Sequence, residues 1–166
     1  MNRNITIRTN LLPGDLGYIA YMHGQLYAHE MGYGLNFEAY VLEGLSEFAK
    51  QYNPEKDGIW ICEDAGKIVG FLMAFVRQDK VQLRYFILAP AYRGLGLGQK
   101  LMDLFIEFMM NNNYKKAYLW TTDEQLSAIS LYMRYGFVLT EEFSSETFGK
   151  KLIERRYDLN LMVVKE

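Results

Sequence analysis

The stretch between Leu83 and Leu104 limits the folds that this chain can adopt more than any other stretch. It reads as a strand, a glycine-rich turn and then a helix. The strand is apolar up to Leu88, Pro90 stops it, and the turn at 93–98 carries three glycines at alternate positions. Glycine can adopt backbone conformations closed to other residues, so several N–H groups can point at one place. That place faces a helix N-terminus, where unpaired amides and the helix dipole favour an anion, so the stretch predicts a phosphate-binding turn.

Three phosphate-binding patterns can be tested against this turn. The dinucleotide pattern G-x-G-x-x-G fails because Gln99 stands where its last glycine belongs. The P-loop pattern lacks the same glycine, and Leu101 stands where its Ser or Thr belongs. The pattern R-x-x-G-x-G fits, from Arg93 through Gly96 to Gly98. The alternative is a glycine-rich turn that only joins a strand to a helix.

Composition and charge limit the classes of protein that this chain can belong to. With 166 residues, of which 50% are hydrophobic and 15% aromatic, we expect one globular domain over residues 1–166. A net charge of -2 argues against a general nucleic-acid or membrane-surface role. Cys62 is the single cysteine and cannot form an internal disulfide, and the chain contains no apolar run of signal-peptide or membrane-span length. We therefore expect a cytoplasmic protein.

Hydrophobic periodicity predicts an α/β (α+β) fold. Three successive strands at Gly58–Cys62, Lys67–Val76 and Lys80–Leu88 are joined by short turns, so they must pair antiparallel. This order differs from the alternation of strand and helix in a Rossmann domain. We expect a mixed, mostly antiparallel central sheet of about six or seven strands, flanked by helices. The other predicted strands lie near 5–9, 117–121, 138–143 and 152–161. Helices are predicted over 15–30, from an N-cap at Asn36 to Phe48, and from the glycine turn to Asn111. A last helix is predicted over 124–135, with Gly136 as its stop.

A second motif begins about forty residues after the glycine turn. Leu131-Tyr132, followed by Gly136-Phe137, fits the pattern L-Y-x-x-x-G-F. With both motifs in this order and one predicted helix and strand between them, the chain resembles the GCN5-related N-acetyltransferases, the GNAT family, over nearly its whole length. Within that family, the stretch 23–30 and the tail 148–159 are similar to the acetyltransferase half of proteins fused to MarR-type regulators.

The resemblance implies acetyl-CoA as the cofactor, with the diphosphate at the glycine turn and the pantetheine arm along the backbone of the preceding strand. Tyr132 corresponds to the family's tyrosine that is proposed to protonate the leaving sulfur, since a phenol with a pKa near ~10 stays protonated at neutral pH. Gln125 stands where many relatives carry a cofactor-contacting asparagine, or it forms a capping box with Thr122. The cofactor-binding residues implied are Phe86, Ile87, Leu88, Arg93, Gly94, Leu95, Gly96, Leu97, Gly98, Gln99, Gln125 and Tyr132.

The residues for the acceptor amine are expected on the first helix. Many family members carry a glutamate as general base on the strand that here holds Gln82 and Arg84, neither of which can take a proton from an ammonium. Either a chain of water molecules replaces it, or the base comes from the first helix. His23, Tyr27 and Glu30 follow one another at helical spacing, so we expect them to line the acceptor site. A packed histidine and a solvated helix end are the alternatives for His23 and Glu30.

The resemblance implies an N-acetyltransferase that transfers the acetyl group to a primary amine of a small molecule by direct attack. Two other functions stay open at this point. One is a catalytically silent acetyl-CoA-binding sensor or interaction domain, which the missing strand glutamate favours, and the other is a protein N-acetyltransferase. No metal is expected, because no His, Cys or carboxylate residues have metal-ligand spacing. The family often pairs, so a homodimer is a further expectation.

Overall fold

The central sheet contains seven strands within residues 4–162, the part of the chain that the computed structural model describes. Their order across the sheet is β1-β2-β3-β4-β5-β7-β6. All neighbours pair antiparallel except β4 and β5, which are parallel. The predicted fold class is therefore confirmed. The strands are β1 Ile5–Arg8, β2 Gly58–Asp64, β3 Lys67–Arg77, β4 Lys80–Leu88, β5 Lys116–Thr122, β6 Val138–Ser145 and β7 Leu152–Asn160.

Four α-helices cover the two faces of the sheet in the described chain. The helices are α1 Asp15–Met31, α2 Leu35–Gln51, α3 Leu97–Asn111 and α4 Leu126–Arg134, and a 3₁₀ turn spans Pro90–Tyr92. Helices α1 and α2 bury apolar side chains such as Ile19 and Val41 against one face, and α3 and α4 bury Phe105 and Ile129 against the other. The sheet thus separates two hydrophobic cores, and removal of these apolar surfaces from water is the main force that holds the layers together.

Strands β4 and β5 separate after a short paired stretch. In the described chain their register runs from Lys80 opposite Lys116 to Gln82 opposite Tyr118, although both strands continue beyond these pairs. The backbone of β4 from Arg84 to Leu88 pairs with β3 on one side and has no paired strand on the other. A gap consequently opens in the middle of the sheet.

A β-bulge in β4 lies beside this gap. The register with β3 shifts between Phe71 and Met73, so that two residues of β4, Tyr85 and Phe86, oppose one residue of β3. Tyr85 has a φ of 54°, a left-handed conformation that is rare for an aromatic residue. The bulge breaks the strict alternation of side chains, and both Arg84 and Tyr85 project towards α2, where Gly44 provides the space for them.

Two predicted helix starts are wrong. Helix α2 begins at Leu35 with Gly34 as its N-cap, so Asn36 lies within the first turn instead of capping it. Helix α4 begins at Leu126, and the predicted capping box between Thr122 and Gln125 does not form, because neither side chain caps the helix. The predicted end of α4 is confirmed, since Gly136 follows it with a φ of 90°. The single domain over residues 1–166 stays a prediction, and its ends lie outside the described residues.

Candidate active site

The glycine turn places a set of unused N–H groups at the start of α3. Gly96 is the N-cap, and the first amide to bond back into the helix is that of Lys100, which donates to the Gly96 carbonyl at 3.0 Å. Within residues 4–162, the amides of residues 94–99 have no backbone acceptor. Because unpaired amides and the positive end of the helix dipole coincide here, the turn can hold an anion.

Two of the three glycines in the turn are required by backbone conformation. Gly94 has a φ of 72° and Gly96 a φ of 78°, and no other atom lies within 4 Å of where a Cβ of either would be. The turn is thus open on the side where a ligand would approach. Gly98 lies inside α3 without a positive φ, and a Cβ there would make ordinary contacts, the shortest at 3.5 Å to Leu131.

Arg93 and Glu30, predicted for different ligands, bind each other. The Arg93 guanidinium lies 2.9 Å from a Glu30 carboxylate oxygen, and its Nε donates to the Leu88 carbonyl at 2.9 Å. These contacts tie the end of β4 and the turn to the last helical turn of α1. Glu30 is absent from the residues that line the central cleft described next. Its role at the acceptor and that of Arg93 at the cofactor stay predictions.

Five of the predicted site residues converge on one cleft. It opens where β4 and β5 separate, and about 100 Å³ of it is accessible to water. The predicted residues in its wall are His23, Tyr27, Phe86, Gln125 and Tyr132. Ile87 and Leu88 lie farther along the unpaired stretch of β4, towards the glycine turn, and Leu95, Leu97 and Gln99 belong to that turn and the start of α3. The two motifs therefore meet on opposite sides of the gap in the sheet.

Tyr132 occupies the side of the cleft formed by α4. Its ring packs against Phe86 and Phe137, with centroid distances of 6.2 and 6.0 Å. Its hydroxyl has no hydrogen-bond partner within the described chain, although the residue is only 5% exposed. Burial raises the pKa of this phenol well above its ordinary value. The hydroxyl therefore keeps its proton throughout the neutral range and can donate it into the cleft.

His23 and Tyr27 form the side of the cleft that belongs to α1. The His23 Nδ1 lies 2.9 Å from the Ile19 carbonyl, so it carries the proton and donates it. Burial lowers the pKa of His23 to about 4, which makes the imidazole neutral and weakly basic. The Tyr27 hydroxyl donates to the Gln125 amide oxygen at 3.2 Å. Gln125 is thus turned towards the cleft.

Several lining residues were not predicted as site residues. Trp120 and Thr121 come from β5, Glu154 from β7 and Phe148 from the loop before it, and Arg84 was considered only as an unsuitable base. Thr121 Oγ1 is buried without a hydrogen-bond partner within residues 4–162. These residues lie far apart in the sequence and meet only through strand pairing. No pattern in the sequence marks them, since Trp120 and Thr121 are consecutive on β5 and Phe148 lies in a loop.

Other kinds of site receive no support from the described residues. No group of three or more His, Cys, Asp or Glu side chains among them is arranged to hold a metal ion. None of the helices in residues 4–162 combines the length and apolar character needed to cross a bilayer. Cys62 lies in the core, where burial raises the pKa of its thiol to about 12, so it is not a nucleophile at neutral pH.

Comparison with known families agrees with this arrangement. Residues 25–137 match the model of the acetyltransferase (GNAT) family. The chain belongs to the GNAT family. The matched range contains both motifs, the gap between β4 and β5, and the helices α1 to α4 except the first part of α1.

Relatives of this GNAT domain occur among curated and solved proteins. It is 30% identical over 125 residues to N-acetyltransferase family 8 member 2 of Rattus norvegicus, covering 71% of this chain and 55% of that protein. It is 34% identical over 79 residues to the mycothiol acetyltransferase of Corynebacterium efficiens, covering 47% of this chain and 27% of that one. The chain thus spans about half the length, or less, of the curated relatives that it matches.

Solved structures of low identity share the fold. An acetyltransferase of the GNAT family from Staphylococcus aureus superposes with a TM-score of 0.76 at 21% identity, covering 95% of this chain and 99% of that one. The protein yncA of Salmonella typhimurium, solved with its cofactor acetyl-CoA, superposes with a TM-score of 0.71 at 19% identity, covering 95% and 94%. At this level of identity the likeness shows the fold alone.

The residues of this GNAT domain fit coenzyme A. Its diphosphate is an anion that requires several N–H donors and space for close approach, and residues 94–99 offer both. Its pantetheine arm carries amides, which the unpaired stretch of β4 can bond as a missing strand would. The Thr121 hydroxyl, which has no hydrogen-bond partner within residues 4–162, is a further polar group in the wall of the cleft. The glycine turn, the gap and the cleft therefore suit one extended ligand.

Proposed function

We propose that this protein is an acetyl-CoA-dependent N-acetyltransferase that acts on a primary amine of a small molecule. The observation that supports it best is a continuous path from the free amides of residues 94–99, along the unpaired stretch of β4, to the free hydroxyl of Tyr132 in the cleft. Acetyl-CoA supplies an activated acetyl thioester. The chain itself must hold this cofactor, align an amine beside it, and provide a proton for the departing sulfur.

The turn and β4 serve as the binding and aligning elements in this proposal. Amides of residues 94–99 would hold the diphosphate, and the backbone of Phe86, Ile87 and Leu88 would hold the pantetheine arm. An N–H of that stretch would stabilise the negative charge that develops on the thioester oxygen. Since these donors are backbone groups fixed by the sheet and by α3, they need no rearrangement during the reaction.

Tyr132 is the proton donor in this proposal. Its buried, protonated hydroxyl is the free phenol of the cleft that projects from α4, opposite the unpaired stretch of β4. His23 does not serve as general base at neutral pH, because a pKa of about 4 leaves it unable to compete for the proton of an ammonium. His23 instead lines the part of the cleft that receives the acceptor amine, together with Tyr27. The proton of the amine leaves by way of water.

Thiol release from acetyl-CoA, measured across amines, amino acids and peptides, tests the proposal. We expect saturable release with at least one small amine and an acetylated product by mass spectrometry. Tight acetyl-CoA binding without turnover of any acceptor would favour a silent sensor domain, which the absence of a glutamate at positions 82 and 84 supports. Turnover of peptides alone would identify a protein N-acetyltransferase. Absence of acetyl-CoA binding would overturn the proposal altogether.

Three further properties belong to the same proposal. We place the protein in the cytoplasm, which its single, buried cysteine supports. We also propose that it forms a homodimer, which light scattering tests directly. The likeness to the MarR-fused acetyltransferases stays a prediction. The proposal of a small-molecule acceptor does not depend on it.

A further inference from the structure

Two charged side chains of opposite sign line the cleft on the same face of the sheet. Arg84 projects from β4 towards α2, and Glu154 on β7 lies opposite Thr122 of β5. Trp120 of β5, two residues before Thr122, lies on that face between them. Because β5 separates β4 from β7 and neighbouring strands are about 4.8 Å apart, the two backbones are roughly 10 Å or more apart.

Arg84 has no carboxylate partner in the described chain. Its guanidinium lies over the rings of Tyr85 and Tyr40, 4.8 and 5.5 Å from their centroids. The arginines at 8, 77, 93, 155 and 156 each form an ion pair. Arg134 forms none in the described chain either, but it is exposed, whereas Arg84 is half-buried. The Arg84 side chain is packed in place by aromatic contacts and by the space at Gly44. Its charge acts on the nearby carboxylate of Glu47, but that carboxylate accepts its hydrogen bond from Arg77, at 2.6 Å.

Glu154 is equally without a partner in residues 4–162. It is half-buried, yet it forms no hydrogen bond or ion pair there. The nearest cation on the same face of its strand, Arg156, is held by both oxygens of Asp158 at 2.9 Å. Arg155, on the opposite face, binds Glu142. Partly burying a charge without a partner is unfavourable, so each of these two side chains favours a ligand group of opposite charge.

The walls between these two charges are mainly apolar. Aromatic rings of Tyr40, Trp120 and Phe148 line the cleft there. Such rings suit an aliphatic chain, and their faces also attract an ammonium. The complementary ligand therefore has a carboxylate and an ammonium separated by an apolar spacer.

We propose that the acceptor is a small zwitterion, an amino acid whose carboxylate pairs with Arg84 and whose ammonium pairs with Glu154. This inference rests on the proposed function and names the substrate class of the same site. Arg84 selects the carboxylate through its planar pair of N–H donors, and Glu154 selects and orients the amine end. Both are specificity-determining residues, and neither is given a proton-transfer role.

Acceptors that differ in one charge test this inference. We would compare 3-aminopropanoate, 4-aminobutanoate, 5-aminopentanoate and 6-aminohexanoate, each with its own carboxamide and with the matching alkylamine. Two readouts are kcat/KM by thiol release and Kd by calorimetry with protein saturated with coenzyme A, which needs no turnover. We expect at least one amino acid to have a kcat/KM about tenfold or more above that of its carboxamide, or a Kd about tenfold or more below it, as one charge-assisted pair allows. Equal values for amino acids, carboxamides and alkylamines would overturn the inference.

Variants assign the two ends of the ligand. Arg84→Gln should lower the preference for the amino acid, measured as its kcat/KM divided by that of the carboxamide, about tenfold. Arg84→Lys should retain part of that ratio. Glu154→Gln should weaken both ligands alike, because both carry the ammonium. Arg155→Gln and Glu142→Gln are matched controls from the ion pair on the opposite face of β7, and they should leave this ratio as in the wild type. An unchanged ratio in Arg84→Gln would remove Arg84 from carboxylate recognition.

The measurements separate this inference from the function on which it rests. Acetyl-CoA affinity, measured for every variant, reports whether the fold and the cofactor site are intact. Wild-type protein that fails to bind acetyl-CoA would overturn the proposed function. Protein that binds acetyl-CoA but shows no preference for zwitterions would overturn only the substrate class. If Arg84→Gln does not fold, Arg84→Lys and the ligand series on wild-type protein still decide.

Discussion

Single residues of the cleft owe their chemistry to burial. Tyr132 and His23 are both almost fully buried, and burial disfavours the charged form of each. The phenol becomes a protonated donor, whereas the imidazole becomes neutral and a weaker base. Burial thus keeps the proton that the proposed acid role of Tyr132 requires, and it reduces the proton affinity that a base role of His23 would require.

Replacing Tyr132 by Phe tests the acid role. Tyr132→Phe keeps the ring that packs on Phe86 and removes only the hydroxyl, so we expect kcat to fall about 100-fold, as is typical for loss of a general acid. The Kd for acetyl-CoA, measured by calorimetry, should stay close to that of the wild type. Tyr21→Phe, at a residue that is 58% exposed, is the matched control and should keep the wild-type kcat. A wild-type kcat in Tyr132→Phe would exclude the role.

His23 should make stability depend on pH. Its pKa is lowered from 6.5 to about 4 on folding, so the unfolded chain binds the proton more readily. Stability is therefore complete above about pH 6.5 and is lost as the pH falls towards 4. At pH 5 the loss from this residue is about 2 kcal/mol.

Urea unfolding at pH 7.5 and pH 5 measures this loss. The wild type should lose about 2 kcal/mol more than His23→Gln between the two values, since the variant lacks the titrating group. His29→Gln removes the other histidine, which is exposed, and should retain the wild-type pH dependence. Equal pH dependence in wild type and His23→Gln would contradict a buried neutral histidine.

At the scale of elements, the start of α3 and the bulge of β4 form much of the candidate site. The glycine turn was predictable because Gly94 and Gly96 need positive φ, which is a property of the residue type itself. The bulge was not predictable, because Tyr85 adopts its left-handed φ under the constraint of its surroundings and leaves no trace in the residue pattern. Glu154 was missed for a related reason: it reaches the cleft through strand pairing with β5 across a long stretch of chain.

Substitution of Gly96 tests the turn as an anion-binding element. Gly96→Asp should weaken acetyl-CoA binding at least tenfold, because a side chain and a negative charge enter the space where the diphosphate approaches. Calorimetric titration gives the Kd. Gly66→Asp on the β2–β3 hairpin, outside the turn, has a similar φ, 75°, and controls for the backbone strain. Unchanged affinity in Gly96→Asp would move the diphosphate site elsewhere.

At the scale of the whole molecule, the sheet has two parts that the gap divides. Strands β1 to β4 form one part and β5, β7 and β6 the other, and their direct pairing in the described chain ends at Gln82 and Tyr118. Helix α3 connects the two parts, because its buried side chains lie in one hydrophobic core with side chains from both. A ligand that lies in the gap contacts both parts and takes the place of the missing strand pairs. Cofactor binding should therefore stabilise the molecule as one unit.

Thermal unfolding with acetyl-CoA measures this stabilisation. At a hundredfold excess over Kd the gain is about 2.7 kcal/mol, which for a chain of this size raises Tm by about 5 to 10 °C. Hydrogen exchange should slow at residues 94–99 and at those amides of residues 86–88 that face the gap, because they would acquire partners. It should stay unchanged in the β1–β2 pair, which lies two or more strands from the gap. Gly96→Asp should lose most of the shift. A Tm gain with uniform slowing of exchange over β1 and β2 would mean that the ligand binds somewhere other than the gap.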